Sequence, residues 1–331
     1  MDNEIANMLL FCSRIDFGTV VLSCEEKRFR NELNHEMLAL CEHLPKSMQT
    51  KAALFLMEYL QATVKSGVNF VSYFYPPSWS ILFWLLQTSP GKKILDPKFI
   101  QNAKVGHTNA MFLHALDDHL TDRQLPVTHL SLLMRSQSWM TMNQSFHRLS
   151  RGIENGAHTV GELIDDYYSS IDTSDETQSL DDYCNLFMKQ MATWLIVPIL
   201  LAQKLYPDEE YWRTVQAAYS SFGIAWRLLD DLQDLEKDMI NGAHSSIYVF
   251  LSEDLKYWWN KDAVEKIGAK IDYAQAILRY VHENEIIDAI IKRACDEMAY
   301  AASKADDCRL PGLAAEFRCL GKPLKIRVNC S

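Results

Sequence analysis

Helical periodicity is the feature of this sequence that most limits its fold. Apolar residues recur at the i, i+3 and i+4 positions of an amphipathic helix in five long stretches. These stretches are residues 51–60, 99–120, 181–205, 211–238 and 286–304. Helix breakers are sparse, with 12 glycines and 10 prolines in 331 residues, and no stretch alternates apolar and polar residues as a half-buried strand would. We therefore predict an all-α fold of roughly ten helices, some of them long and buried.

The composition favours a globular protein over a nucleic-acid-binding or membrane protein. Hydrophobic residues make up 48% of the chain, which is enough for a large core, so we predict one domain over residues 1–331 with mobile ends at 1–25 and 321–331. The formal net charge of −10, without a lysine or arginine block, argues against nucleic acid and anionic membranes as partners. The eight cysteines form no C-x-x-C pair, and the longest apolar run, 194–202, is too short to cross a bilayer. We therefore expect a cytoplasmic protein with reduced thiols.

An acidic stripe follows one of the apolar helical runs. Asp230, Asp234 and Asp238 recur at i, i+4 and i+8, directly after the apolar residues 222–229. Like charges at this spacing destabilise a helix by a few tenths of a kcal/mol per pair, and burying them unpaired costs much more. A divalent cation relieves both problems, and Mg²⁺ prefers carboxylate and phosphate oxygens. The stripe therefore predicts a metal-binding helix face.

A second acidic cluster ends the predicted helix at 99–120. It contains Asp117, Asp118 and Asp122, of which Asp118 and Asp122 share a helix face because they are four residues apart. Such a cluster alone is more often a solvated helix end. Two clusters, each on an apolar helix, are harder to explain as surface charge, so we predict that they form two facing walls of one metal site.

Two other acidic pairs lack a third acid at helical spacing. They are Asp165 with Asp166, and Asp181 with Asp182. We interpret both as surface or helix-start charges, and Ser179 is predicted to cap the helix that begins near residue 181.

The second cluster resembles a known motif. The run Asp230-Asp231-Leu232-Gln233-Asp234 matches DDxxD letter for letter, and Gly223, Trp226 and Arg227 stand where the family usually has Gly, Phe and Gln. In this respect the chain resembles the trans-prenyl diphosphate synthases and the class I terpene synthases that share their fold. The resemblance implies the isoprenoid synthase fold, with helices around a deep central pocket.

Two departures from the family pattern bear on the reaction. The first motif reads DDxxxD, because Thr121 takes the usual third-Asp position. The early Gly-Lys-Arg-type motif and the Arg-Arg pair, which help elongating synthases to bind isopentenyl diphosphate, are both missing; Arg123 alone follows the first cluster. This pattern resembles prenyl-synthase-like terpene synthases, so a terpene cyclase is the first hypothesis.

Three alternatives stay open at this point. A trans-prenyltransferase would condense an allylic diphosphate with isopentenyl diphosphate. A head-to-head synthase is disfavoured by the letter match to DDxxD. A catalytically silent partner subunit is disfavoured because it would have no need to keep six carboxylates.

The resemblance also implies a ligand set. Three Mg²⁺ ions, with Mn²⁺ as an alternative, would hold the diphosphate of a linear prenyl substrate such as farnesyl, geranylgeranyl or a longer diphosphate. The first cluster would bind two ions and the stripe the third, so the predicted metal ligands are Asp117, Asp118, Asp122, Asp230, Asp234 and Asp238. Four of these, Asp117, Asp118, Asp230 and Asp234, are also the predicted catalytic residues. The resembled family is often dimeric, which makes a homodimer one possible assembly, and the sequence leaves the oligomeric state open.

Substrate contacts are predicted from charge and aromatic character. For the diphosphate, Lys189 is the first candidate and Arg227 the second, followed by Lys237 and Arg123. For the hydrocarbon, Phe112 is the first candidate for a pocket wall, because the resemblance implies that the residue five positions before the first Asp motif sets the depth of the pocket, and Trp226 is the next. Aromatic faces stabilise a carbocation without trapping it as a nucleophile would.

Overall fold

The computed structural model describes residues 3–60, 69–88, 95–121, 124–171, 177–259 and 263–328, and it is all-helical over these residues. Fifteen α-helices are present in the described part of the chain. They are α1 (Asn3–Cys12), α2 (Cys24–Glu42), α3 (Lys46–Tyr59), α4 (Pro77–Gln87), α5 (Pro97–Thr121), α6 (His129–Ser150), α7 (Gly156–Ile171), α8 (Leu180–Gln190), α9 (Ala192–Leu205), α10 (Glu209–Gln233), α11 (Leu235–Asn241), α12 (Glu253–Trp259), α13 (Ala263–Glu283), α14 (Ile286–Asp307) and α15 (Pro311–Val328). The predicted all-α class is confirmed.

Two long helices carry the acidic clusters near their C-terminal ends. Helix α5 packs most extensively on α6, and α10 packs on α14, which in turn packs on α15. The middle parts of α5 (106–113) and α10 (218–225) are wholly buried, including Phe112 and Phe222, both with no exposed surface. Each large apolar side chain buried in this way contributes about 1.5–3 kcal/mol to folding. The packed core therefore fixes the two helices, while their acidic ends emerge together at one side.

Local capping explains where several helices begin. Ser179 accepts a hydrogen bond from the backbone N–H of Asp182 at 3.1 Å, so the predicted cap of α8 is confirmed. At α2, Ser23 and Glu26 form a reciprocal capping box. Such caps satisfy backbone donors that have no partner within the helix.

Two of the predicted helices are broken by a single residue. The stretch 181–205 divides at Met191 into α8 and α9, and α9 continues through Pro198. A Cβ atom on Gly223 of α10 would lie 2.4 Å from the sulfur of Met191, so only glycine leaves room for the side chain at this bend. The stretch 211–238 divides at Asp234 into α10 and α11.

The segment of residues 13–22, here called the N-terminal strap, crosses the end of α10. The Gln233 side chain donates to the backbone carbonyl of Ile15 at 2.6 Å, and the backbone N–H of Gly18 donates to the carbonyl of Leu320 at 2.8 Å. The hydroxyl of Tyr75 donates to the Asp16 carboxylate. The strap thus ties α10, α15 and the segment before α4 together. Upstream of it, α1 is a helix with Ile5, Met8 and Cys12 buried.

No single helix of the described residues is long and apolar enough to cross a membrane; α8 and α9 together have the required length and composition, but they are bent by 66°.

Candidate functional site

A cavity of about 420 Å³ opens between the C-terminal ends of α5 and α10. One wall carries Asp118 of α5, and the opposite wall carries Asp230, Asp234 and Asp238. The two acidic clusters of the sequence therefore contribute carboxylates to the same cavity.

The stripe keeps its helical register across the break at Asp234. The N–H of Asp234 donates to the carbonyl of Asp230 at 2.9 Å, and the N–H of Asp238 donates to the carbonyl of Asp234 at 2.8 Å. These two i to i+4 hydrogen bonds keep all three carboxylates on one face. The predicted stripe is therefore present in the structure and faces the cavity.

The first cluster divides between two environments. Asp117 does not line the cavity: its carboxylate accepts two hydrogen bonds from Arg135, at 2.6 and 2.9 Å, and one from the Tyr167 hydroxyl at 3.2 Å. Both oxygens of Asp117 are therefore held by residues of α6 and α7, and its assignment as a metal ligand stays a prediction. Asp118 faces the cavity, and Asp122 lies outside the described residues.

A spacing already visible in the sequence would have separated Asp117 from Asp118. The cavity-facing residues of the second motif, Asp230 and Asp234, are four apart, and the pair in the first motif with that spacing is Asp118 and Asp122. Matching the letters DD placed Asp117 first, whereas matching the helix face places Asp118 first.

Asp231, the second letter of DDxxD, anchors the stripe from behind. Its side chain is 1% exposed and accepts hydrogen bonds from the Tyr183 hydroxyl at 3.0 Å and the Ser246 backbone N–H at 2.8 Å. The Arg227 Nε lies 3.1 Å from the same carboxylate. Sequence reasoning assigned Asp231 no role, although its position about 100° around the helix from Asp230 already pointed it away from the stripe.

The carboxylates of the cavity repel one another. Burial raises the pKa of Asp230 to about 6, and the charges of Asp231, Asp234 and Asp118 add to this effect while Arg227 opposes it. Burial and the charge of Asp231 raise the pKa of Asp238 to about 8. Asp118 contributes to the raised pKa of Asp230 from across the cavity, so the carboxylates of the two walls interact electrostatically.

Of the predicted diphosphate contacts, two line the cavity and one does not. Arg227 lies against Asp231 and Asp230, and Lys237 donates to Asp234 at 2.7 Å. The structure places Lys189 on the exposed surface of α8, outside the cavity lining. Phe187 of the same helix lines the cavity, and Tyr183, one turn before it, contacts Asp231 and Arg227. Arg123 lies outside the described residues.

Aromatic rings form the apolar part of the lining. Trp226 lines the cavity as predicted, with Phe74 edge-on at 5.4 Å and Trp194 stacked behind it at 5.2 Å. Phe112 is not a wall residue, because it is fully buried and packs edge-on against Phe70 at 5.7 Å. The sequence offered no signal for Phe74, since it precedes α4 by three residues in an irregular segment.

Carboxylates are the donors that a metal ion would meet in this cavity. Among the described residues, no group of three Asp, Glu, His or Cys side chains is gathered closely enough to hold a metal ion. Mg²⁺ usually takes one or two carboxylates and completes its shell with waters and substrate phosphates, so it does not require such a cage. Four carboxylates on two walls therefore fit an ion that binds together with a phosphate ligand.

The fold is shared with prenyl diphosphate synthases of known structure. The polyprenyl synthetase from Streptomyces coelicolor A3(2) has a TM-score of 0.61 at 15% identity, covering 90% of this chain and 98% of that one. Geranylgeranyl pyrophosphate synthase from Corynebacterium glutamicum has a TM-score of 0.60 at 14% identity, covering 97% and 98%. The structure of that synthase complexed with isoprenyl diphosphate and magnesium has a TM-score of 0.50 at 11% identity, covering 91% and 99%.

The sequence itself matches no family model and no curated protein. At identities of 11–15% the structural likeness establishes the isoprenoid synthase fold, and the predicted fold class is confirmed.

Proposed function

We propose that this chain is an Mg²⁺-dependent enzyme that ionises an allylic prenyl diphosphate, and that it transfers the resulting prenyl group as a trans-prenyltransferase. One observation carries the proposal: Asp118 on α5 and three aspartates on α10 and α11 face each other across one cavity that also has aromatic walls. The solved structures that share the fold are synthases of prenyl diphosphates. They favour the transferase over the cyclase that the sequence predicted first.

The acidic residues would hold the metal ions with the diphosphate. On the α5 wall we assign Asp118, together with Asp122, and on the opposite wall Asp230, Asp234 and Asp238. When bound, Mg²⁺ stabilises the negative charge that develops on the leaving diphosphate.

The cations of the lining would assist the same charge. Arg227 is held in place by the Tyr183 hydroxyl at 2.8 Å and by the buried carboxylate of Asp231. A guanidinium fixed in this way costs little entropy when it contacts a phosphate oxygen. Lys237 reaches the cavity from the other side of Asp234 and would contribute a second positive charge.

The aromatic walls would protect the cation formed after ionisation. Trp226, Phe74 and Phe187 present ring faces and edges to the cavity but no lone pair basic enough to be alkylated readily. Ala243 and His244, which follow α11, also line the cavity and stand at its acidic end. This segment is suited to exclude water when diphosphate binds.

A terpene cyclase is the second candidate, and one observation favours it. Among the described residues of the lining, both cations, Arg227 and Lys237, belong to the α10–α11 side. The opposite side contributes Tyr73, His119 and Gln124, none of which is a lysine or arginine. Condensation with isopentenyl diphosphate requires a site for a second diphosphate, whereas cyclisation requires only one.

Incubation with allylic diphosphates tests both candidates. Geranyl, farnesyl, geranylgeranyl and geranylfarnesyl diphosphates would each be supplied with Mg²⁺, with and without isopentenyl diphosphate. Longer diphosphates formed only with isopentenyl diphosphate would support the transferase. Hydrocarbons or alcohols formed from a single substrate would support the cyclase.

The double variant Asp230→Asn/Asp234→Asn is the control, because it keeps the shape of the stripe and removes its charge. If the wild-type protein releases no pyrophosphate with any substrate, both activities are refuted. If, in addition, Mg²⁺ with pyrophosphate fails to raise the melting temperature, the chain would instead be a silent subunit.

A further inference from the structure

One face of α5 forms a column from the mouth of the cavity into the core. His107, Met111, His114 and Asp118 follow one another at spacings of four, three and four residues, so they share a face of the helix. His114 is one turn from Asp118, which corresponds to about 6 Å along the helix axis. It is the next residue of this column to line the cavity beyond the acidic mouth.

The surroundings of His114 are aromatic. Its ring meets the face of Trp194 edge-on at 4.4 Å, and Trp194 stacks on Trp226, which lines the cavity beside it. Burial and the positive charge of Arg227 lower the pKa of His114 to about 4, although Asp117 opposes this. The imidazole is therefore neutral near pH 7 and carries one nitrogen with an available lone pair.

The hydrogen bonding of His114 distinguishes it from two other histidines of α5. The Nε2 atom of His107 lies 2.6 Å from the carbonyl of Ser78, and that of His119 lies 2.7 Å from the hydroxyl of Tyr73. Within the part of the chain that the structure describes, neither ring nitrogen of His114 has a hydrogen-bond partner. Its lone pair is thus exposed to whatever occupies the cavity.

The second histidine of α5 on the lining, His119, already has its Nε2 atom hydrogen-bonded to the hydroxyl of Tyr73 at 2.7 Å, and the remaining groups are poorly placed to accept a proton from the hydrocarbon. The carboxylates stand at the mouth, where the proposed function assigns them to metal ions. Phe74, Phe187 and Trp226 have no basic atom, and Arg227 is already protonated. His244 lies beyond α11 with its ring stacked on Tyr248 at 4.4 Å, at the acidic end of the cavity.

We propose that His114 is the proton acceptor that ends the carbocation stage of the reaction. A C–H bond next to the cationic carbon breaks, its electron pair forms the new C=C bond, and the proton passes to the free imidazole nitrogen. The imidazolium then returns the proton to the released diphosphate or to water before the next turnover. This inference rests on the proposed function and holds for either of its candidates, because prenyl transfer and cyclisation can both end in loss of a proton.

Replacement of His114 by phenylalanine tests the proposal. His114→Phe keeps a ring against Trp194 and removes the basic nitrogen. We expect pyrophosphate release within about threefold of wild type, because ionisation depends on the acidic walls, whereas the normal deprotonated product should fall by about tenfold or more. The substrate that no longer gives the normal product should instead give alcohols, by capture of water, or isomeric alkenes.

Two further variants keep the test decisive. His114→Gln retains a polar side chain without a basic nitrogen and should give the same change in products. His147→Phe makes the same replacement at an exposed histidine of α6 and should leave the products unchanged. An unchanged product distribution in both His114 variants would overturn the proposal, and so would equal loss of pyrophosphate release and product, which indicates a structural role.

Failure of the inference is distinguishable from failure of the proposed function. In the first case wild-type protein releases pyrophosphate and the His114 variants alter nothing specific to the deprotonation step. In the second case wild-type protein releases no pyrophosphate at all.

Discussion

Replacing Asp238 by asparagine should stabilise the metal-free protein while impairing metal binding. Burial and the charge of Asp231 raise the pKa of Asp238 to about 8, far above the ordinary value for aspartate. Between pH 4 and pH 8 the folded protein therefore holds a proton here that the unfolded chain releases. Under these conditions the free energy of unfolding falls as pH rises, by about 1.4 kcal/mol per pH unit for one proton.

The magnitude at pH 7 follows from this slope. At pH 7, about three units above the ordinary pKa of aspartate, Asp238 lowers the free energy of unfolding by at most about 4 kcal/mol. Because the carboxyl lines an open cavity and is screened by solvent, we expect a destabilisation of about 2 kcal/mol. Asparagine removes this cost because it cannot ionise. For a chain of 331 residues, an unfolding entropy of about 0.7 kcal/mol/K converts 2 kcal/mol into a rise of about 3 °C in melting temperature.

Thermal unfolding in a chelator at pH 7 and pH 5 measures the effect. Asp238→Asn should melt higher than wild type at pH 7, and the difference should shrink at pH 5, because pH 5 lies only about one unit above the pKa of aspartate in the unfolded chain. Glu236→Gln, an exposed acid on the same helix, is the matched control and should change little. With Mg²⁺ and pyrophosphate the order should reverse, because wild type gains more from the ligands. A variant that melts at or below wild type in chelator at pH 7 would refute the reasoning.

Three further outcomes follow from the site and its supports. Asp118→Asn and Asp230→Asn should each lower kcat by about a thousandfold or more with unchanged circular dichroism, because charge stabilisation at the diphosphate is lost; activity within tenfold of wild type would contradict the assignment. Asp117→Asn should keep measurable turnover but lower the free energy of unfolding by about 1–3 kcal/mol in urea titration, since its paired arginine loses a charged partner; a loss of turnover without destabilisation would support its assignment as a metal ligand. Gly223→Ala should cost about 1–3 kcal/mol, because its Cβ would lie 2.4 Å from a buried methionine sulfur, whereas Gly161→Ala, with no atom within 4 Å of its Cβ, should be neutral or stabilising; equal melting temperatures for the two variants would exclude the close approach.

The helices were predictable wherever their apolar faces repeat over several turns. The predicted stretches at 99–120 and 286–304 correspond closely to α5 and α14. The Ser179 cap was predictable because it is a local interaction with a residue three positions later. The break at Met191 was not predicted, and there the methionine packs against Gly223, 32 residues later in the chain. A proline offers an obvious local reason to interrupt a helix, yet α9 continues through Pro198.

The cavity-facing carboxylates of the stripe were predictable for a similar reason. Asp230, Asp234 and Asp238 occupy one face of any helix that contains them. The hydrogen-bond partners of Asp117 were not predictable, because Arg135 and Tyr167 lie 18 and 50 residues away and belong to other helices. The spacing of residues in a sequence indicates which of them share a helix face. Which residues neutralise a charge depends on how the helices pack against one another.

The diphosphate contact on α8 shows the same limit. Both Lys189 and Tyr183 belong to this helix, and the lysine was favoured by its charge and by the resemblance of the segment to a helix of prenyl synthases. The helix turns Tyr183 and Phe187 inward because they are its apolar face, so the lysine two residues later lies on the opposite side. Hydrophobic periodicity would have ranked these residues better than charge did.

The N-terminal strap has a practical consequence for handling the protein. Its carbonyl at Ile15 is held by Gln233, the neighbour of Asp234, although the two residues are 218 positions apart. Trimming the amino end, or fusing a bulky affinity handle close to Gly18, would loosen the end of α10 from outside the pocket. Preparations that differ only in their leader sequence should therefore differ in cation affinity, and comparisons of activity between laboratories would need matched amino ends.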